Sequence, residues 1–172
     1  MTTTTTVATT TWIGLDISKD TIEVCLLRHN GKTHFKQFFN TSSGHAKLLR
    51  WAQHLDEGGT SHFCMESTGS YSCSYSCEVA LFLAQAAQKV SVINPALIHF
   101  FARSQGQGNK TDKADAHIIA LFCRKEHPDV WRAAAPEVRE LAALKCVVIM
   151  QCKTSWCRRR TAFKHRLSPK PC

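Results

Sequence analysis

The stretch 12-WIGLDISKDTIEVCLLR-28 decides the fold, because it contains two strand patterns separated by a short polar segment. "WIGLDIS" is a compact apolar segment of strand type, and "TIEVCLLR" places Ile22, Val24 and Leu26 at every second position. A period of two is what a strand with one buried face requires. Residues 18–20 suit a tight turn, so the stretch predicts two antiparallel strands.

The residues that follow extend this pattern into a layered domain. "KTHFKQFFN", after the Asn30-Gly31 turn signal, predicts a third antiparallel strand. Helix and strand patterns then alternate: a helix over 44–55, a buried strand in "SHFCME", a helix over 78–88 and a strand in "KVSVINP". We therefore predict an α/β domain with a mixed sheet flanked by helices, in which the later strands are parallel.

Two further helices are predicted before the C-terminal region. Pro95 suits a first helical turn and opens a helix to about Ala102, and Thr111 is a good N-cap for a helix to about Arg124. The sequence divides into a Thr-rich tail over 1–11, a catalytic domain over 12–126 and a basic helical region over 127–172.

The C-terminal region predicts one long helix from Ala133 to about Leu167. Pro136 suits its first turn, and no further Pro or Gly appears before Pro169. Its apolar positions recur at helical spacing: Val138, Leu141, Leu144, Val148 and Ile149. Such a stripe needs a partner surface, so we expect a coiled coil and a homo-oligomer.

The charge of the chain favours a polyanionic partner over an acidic small substrate. Lys and Arg number 22 against 13 Asp and Glu, a formal net charge of +9. The segment 132–172 has ten basic and two acidic residues, a net charge of +8. Most of the excess is therefore C-terminal.

Several protein classes are disfavoured by composition. No apolar run approaches the ~20 residues of a membrane-spanning helix, and the N-terminus lacks a basic start and an apolar centre. The nine cysteines form an odd set without framework spacing, and no C-x2-C pair accompanies Cys73 and Cys77. We expect a cytoplasmic protein with reduced thiols, and structural zinc is the weaker interpretation.

Four carboxylates form a candidate acidic site. Asp16 ends a buried strand, and Glu66 ends another before Ser67. Asp112 and Asp115 lie three residues apart at a helix start, with Cβ atoms ~5 to 6 Å apart. Turn capping for Asp16 and helix-dipole stabilisation for the Asp pair are the simpler alternatives.

Strand ends and a helix start can converge on one crevice of an α/β sheet, and converging carboxylates repel one another unless cations neutralise them. Mg²⁺ or Mn²⁺ suits all-oxygen ligands and can promote phosphodiester chemistry. Together with the basic charge, this pattern favours DNA or RNA as substrate.

Basic residues near the acidic site and in the C-terminal region are candidates for nucleic-acid binding. Lys110 and Lys113 flank the Asp pair and suit either phosphate contacts or local ion pairs. The C-terminal candidates are Lys153, Arg158, Arg159, Arg160, Lys164 and Arg166. The three consecutive arginines cannot share one helix face, so they suit sequence-independent phosphate contacts or a solvated end.

Four motifs in order resemble those of the DEDD-type transposases of the insertion sequence 110 family, relatives of the pilin-gene inverting recombinases. They are "WIGLDISKDTIEV", "MESTGSY", "VSVINPALIHFFARSQG" and "NKTDKADAHIIALF". The resemblance runs from about Trp12 to Leu167. It implies an RNase H-like domain similar to the RuvC resolvase, an Mg²⁺-binding tetrad of Asp16, Glu66, Asp112 and Asp115, and a guide-RNA partner that bridges donor and target DNA.

The resemblance also implies limits on the activity of this chain. Family members continue into a domain that contributes a nucleophilic serine, which is absent before Cys172. We therefore expect a bacterial, nucleoid-associated transposase or site-specific DNA recombinase domain that does not complete strand exchange alone. The alternatives are a non-catalytic nucleic-acid-binding remnant and a RuvC-type junction nuclease.

Overall fold

A computed structural model describes residues 10–56, 59–67, 75–106 and 111–135, together with residues 137, 138, 140, 141 and 144. Five strands and four helices are present in these residues. In chain order they are β1 (Thr10–Ile17), β2 (Thr21–Leu27), β3 (Thr33–Phe39), α1 (Ser42–Leu55), β4 (Thr60–Glu66), α2 (Tyr75–Gln85), β5 (Lys89–Ile93), α3 (Pro95–Ser104) and α4 (Asp112–Glu126).

The strands form one mixed sheet in the order β3-β2-β1-β4-β5. β1 pairs antiparallel with β2, and β2 pairs antiparallel with β3. β4 lies parallel to both β1 and β5. The predicted antiparallel start, the parallel later strands and the α/β class are confirmed, and β3 and β5 are the edges of the sheet.

Helices cover both faces of the sheet. On one face, α1 and α2 contribute Leu48, Ala52, Val79 and Leu83 to the largest apolar cluster, which also contains the alternate strand residues predicted to face inward. On the other face, α3 and α4 pack through smaller clusters that include Cys25, Cys64 and Cys123. Because both faces of β1 are covered, its central residues Ile13, Gly14 and Leu15 are buried.

Local signals set the ends of the helices. The side chains of Thr41, Asn94 and Thr111 cap α1, α3 and α4 by accepting a hydrogen bond from a backbone N–H in the first turn. α4 continues two residues beyond the predicted end and stops at His127, which adopts a left-handed conformation with φ of 46°. α2 begins and ends three residues earlier than predicted.

β1 begins at Thr10, inside the segment expected to be a tail. Thr10 and Thr11 pair with Thr60 and Ser61 of β4, and Thr11 is buried. Their backbone groups therefore complete the parallel ladder. A polar side chain does not prevent strand formation when the neighbouring strand supplies hydrogen-bond partners.

The segment after α4 packs with the sheet. The backbone N–H of Trp131 donates to the carbonyl oxygen of Val90 (2.7 Å), and the buried Ser91 hydroxyl donates to the carbonyl oxygen of Asp129 (2.7 Å). Described residues up to Ala133 accordingly belong to one compact unit, and those from Ala134 onward to a second. The domain boundary predicted at residue 126 stays a prediction.

The second unit is described at only seven positions. Residues 134 and 135 are not helical, whereas residues 137, 138, 140, 141 and 144 are. The rest of the long helix predicted over 133–167 lies outside the described residues. Among the helices of the described part of the chain, none is long and apolar enough to cross a membrane.

Candidate functional site

Two predicted site residues lie at the same level of the sheet. Asp16 and Glu66 each follow directly on the register pair Leu15 and Met65, which joins β1 to β4. Because these strands are parallel, their carboxyl ends meet at one edge of the sheet. The structure therefore brings Asp16 and Glu66 to neighbouring positions from segments fifty residues apart.

Both side chains belong to the face of the sheet that α4 covers. Strand residues two apart share a face. Trp12 lies four residues before Asp16, and Cys64 lies two residues before Glu66, so each shares a face with the carboxylate that follows it. Both Trp12 and Cys64 pack into the cluster with α3 and α4. Each carboxylate-bearing residue is half-buried. Asp16 and Glu66 thus extend a surface whose deeper part is the apolar contact with α4.

The direction of α4 aims its acidic first turn at the same edge. A Cβ atom on Gly14 would lie 2.1 Å from the carbonyl oxygen of Ala116 and 2.5 Å from the nitrogen of Ala120, so α4 crosses β1 backbone to backbone. Arg124, near the end of α4, lies over the Trp12 ring at 5.3 Å. The direction along β1 from Trp12 to Asp16 therefore runs toward the N-terminus of α4.

Asp112 and Asp115 occupy that first turn, which Thr111 holds by accepting a hydrogen bond from the Ala114 N–H (3.2 Å). Asp115 is half-buried and Asp112 is exposed. Their position places two acidic side chains at the positive end of the helix dipole, as the simpler interpretation of this pair also requires. Their location at the Asp16 end of α4 is the additional fact that the structure contributes.

Glu23 is a fifth carboxylate at this edge, and sequence reasoning missed it. It pairs with Asp16 across β1 and β2 in the sheet register, and only 6% of its surface is exposed. Cys25 and Leu27, on the same face of β2, pack against Ala120 of α4. The signal was present in the sequence, because the period that buries Ile22 on one face directs Glu23 to the other.

Among the described residues, no three His, Cys, Asp or Glu side chains lie close enough together to hold a metal ion. The carboxylates share one edge and one face without forming a closed coordination shell. Their chemistry nevertheless fits a hard divalent cation, since the four predicted ligands offer carboxylate oxygens and the almost fully buried Glu23 lies beside Asp16. A buried carboxylate beside another one is costly without a compensating positive charge.

The thiols on the α4 face have a different character. Burial raises the pKa of Cys25 to about 12. A hydrogen bond with Cys123, together with burial, raises the pKa of Cys64 above its ordinary value. Cys25 and Cys64 therefore stay protonated and pack as small apolar side chains, so they are poor nucleophiles and poor metal ligands.

Of the predicted nucleic-acid-binding residues, only Lys113 is described. It is exposed in the first turn of α4. Lys110, Lys153, Arg158, Arg159, Arg160, Lys164 and Arg166 lie outside the described residues, as do Thr68 and Tyr71 of the second motif.

Comparison with known proteins identifies relatives of this chain. A family model for DEDD-type transposases of the insertion sequence 110 group, described as "Transposase", matches residues 13–168. The chain is 36% identical over 135 residues to the pilin gene-inverting proteins of Moraxella lacunata and Moraxella bovis. The match covers 78% of this chain and 40% of each relative, so the chain spans well under half the length of these proteins.

Proposed function

Because this chain belongs to the DEDD-type transposases of the insertion sequence 110 family, we propose that its first unit is an RNase H-like domain for metal-dependent chemistry on DNA phosphodiesters. The proposed ligands of Mg²⁺ or Mn²⁺ are Asp16, Glu66, Asp112 and Asp115. The wider activity proposed for the protein is DNA transposition or site-specific recombination, in line with the gene-inverting names of its relatives.

One observation carries the proposal: acidic residues from three distant segments lie toward one edge and one face of the sheet. Asp16 and Glu66 follow the same register pair, and α4 runs so that Asp115 approaches their edge. Turn capping accounts for Asp16 alone, and the helix dipole accounts for the Asp pair alone. Neither interpretation explains why the carboxylates of all three segments lie toward the same edge and face of the sheet. A cation bound by all of them would explain it.

The proposed roles follow from position and burial. A divalent cation, when bound, supplies Lewis acidity that stabilises negative charge on phosphate oxygens. Asp16 and Glu66, fixed on adjacent strands, form the rigid side of the site. Asp115 approaches from the helix, so closure of the site depends on how α4 seats on β1. Glu23 keeps the electrostatic potential behind Asp16 negative.

Partners follow from the same family membership. DNA is the proposed substrate, and a guide RNA and self-association through the predicted C-terminal helix are further proposals. The basic C-terminal segment supports the nucleic-acid partners because each neutralised phosphate releases counterions. A cytoplasmic location beside the nucleoid accords with a DNA substrate.

The metal site is tested by thermal unfolding with Mg²⁺ or Mn²⁺. A cation at ten times its Kd stabilises the folded state by about 1.4 kcal/mol, which raises the thermal midpoint of a domain this size by about 4 °C. In Asp16→Asn with Asp115→Asn we expect no rise. The control pair Asp129→Asn with Glu126→Gln removes the same charge from exposed positions at the far end of α4 and should respond like the unsubstituted chain.

An equal metal response in the site pair and the control pair would refute the site as drawn. Cleavage of labelled branched DNA with Mg²⁺ separates the other candidate functions. A non-catalytic remnant binds without cutting, whereas a junction nuclease of the resolvase type cuts branched DNA in preference to linear duplex.

A further inference from the structure

The first unit contains a second basic region, although the net charge of this unit as a whole is modest. Residues 24–55 contain five Lys or Arg and no Asp or Glu. The acidic residues of the candidate site, before and after this segment in the sequence, nearly cancel that charge. The positive and negative residues of the first unit are therefore segregated along the chain.

Part of this segment forms a groove where the free edge of β3 meets the first three turns of α1. The groove has a volume of about 390 Å³, and its lining includes Lys36, Phe39, Lys47 and Arg50. No acidic residue lines it. Three cations around one depression without a lining carboxylate make a surface suited to a chain of phosphates.

The start of α1 adds to the positive potential of the groove. Ser43 and Gly44 of the first turn line it, and this turn has no acidic side chain. A Cβ atom on Gly44 would lie 1.9 Å from the carbonyl oxygen of Phe39, so the helix begins directly against the end of β3. The positive end of the helix dipole therefore opens into the groove.

The cationic side chains of the groove lie on α1 and β3, and its exposed aromatic ring lies at the end of β3. Ser43, Lys47 and Arg50 share one stripe of α1 because they are four and three residues apart. Lys36 lies over the Phe38 ring at 5.4 Å, which orients its ammonium at the strand edge. Phe39 is 74% exposed, and so large an exposed aromatic surface costs hydration free energy unless a ligand covers it.

The groove lies at the same end of the strands as the acidic site, but α1 places it on the face of the sheet opposite to the carboxylates. The register pairs Asp16 with Glu23 and Glu23 with Gln37, which also lines the groove. Two strand spacings separate Asp16 from Gln37, roughly 10 Å. A nucleic-acid chain held in the groove would reach the carboxylates by passing around the end of β3.

We propose that this groove binds a single-stranded segment of nucleic acid, with Lys36, Lys47 and Arg50 contacting phosphates and Phe39 stacking on a base. A duplex hides the faces of its bases, so an exposed ring beside three cations fits an unpaired strand. The inference rests on the proposed function only in that the strand leads to the acidic site. Binding itself requires no metal.

The test is fluorescence anisotropy of the full chain with fluorescein-labelled dT20 in EDTA over a range of salt concentrations. Each lost phosphate contact lowers the slope of log affinity against log salt by about 0.7 for single strands. Lys47→Ala with Arg50→Ala should therefore lower the slope by about 1.4, a loss of affinity of about 25-fold at 0.1 M salt if the curves meet at 1 M. Phe39→Ala should weaken binding about fivefold or more with an unchanged slope.

The matched control is Lys89→Ala with Arg103→Ala, which removes two exposed cations from β5 and α3. It should bind dT20 like the unsubstituted chain, and the basic C-terminal segment is the same in every variant. Unchanged thermal midpoints show that all variants are folded. Either groove variant behaving like the control overturns the assignment. EDTA keeps this test separate from the metal site, whose failure would leave the binding result intact.

Discussion

Substitution of Gly14 by Ala tests the contact that aims α4 at the candidate site. The new Cβ atom would lie 2.1 Å from the Ala116 carbonyl oxygen, where contacts below 3.0 Å are essentially never found. The neighbouring atoms belong to the helix backbone and not to a flexible side chain. α4 must therefore move away from β1 by about 1 Å, with partial loss of its packing on the sheet.

The expected cost is at the upper end of that for overpacking a core, about 3 kcal/mol. For a chain of this size the thermal midpoint should fall by about 10 °C. Because Asp112 and Asp115 move with α4 while Asp16 and Glu66 stay on the sheet, the residual folded protein should also lose most of its stabilisation by Mg²⁺.

Thermal unfolding with and without Mg²⁺ measures both effects. Gly31→Ala is the control, since Gly31 has a positive φ of 84° and open space around it. This substitution should cost only about 1 kcal/mol of backbone strain and leave the metal response intact. A Gly14→Ala protein as stable and as responsive to Mg²⁺ as the control would refute the close contact between α4 and β1 as the element that positions the site.

Three further outcomes follow from other buried groups. Burial holds the pKa of His45 below its ordinary value of 6.5, so the unfolded chain takes up the proton first and stability should fall as the pH drops through 6.5. The fall in thermal midpoint between pH 8 and pH 5.5 should be smaller in His45→Gln, and an equal fall would contradict this origin. Cys25, with a pKa of about 12, should react with iodoacetamide only after denaturation, as mass spectrometry can show, whereas rapid labelling in the native protein would exclude its burial. Glu23→Gln should raise the thermal midpoint in EDTA, because it relieves a repulsion with Asp16 worth up to about 1 kcal/mol. The control Glu126→Gln, at an exposed site, should leave the midpoint unchanged. A lower midpoint for Glu23→Gln would argue against that repulsion.

The sequence by itself determined the local elements and the two pairs of acidic positions. A period of two over Ile22, Val24 and Leu26 requires a strand whatever its neighbours, and a capping side chain such as Thr111 marks a helix start through bonds within four residues. These signals depend on short-range physics, so they could be read without a structure.

Only the tertiary structure decided which distant segments meet. The pairing of β1 with β4 brings Asp16 level with Glu66, and it depends on a ladder between residues fifty apart that no local pattern encodes. The pairing of β2 with β1 and β3, on the face that α4 covers, buries Glu23, and the strand period alone does not show that its face is covered. The groove between β3 and α1 likewise arises from two elements whose separate charge patterns predict only solvated faces. Burial and electrostatic potential are properties of the assembled layers, and they appear only when the chain packs.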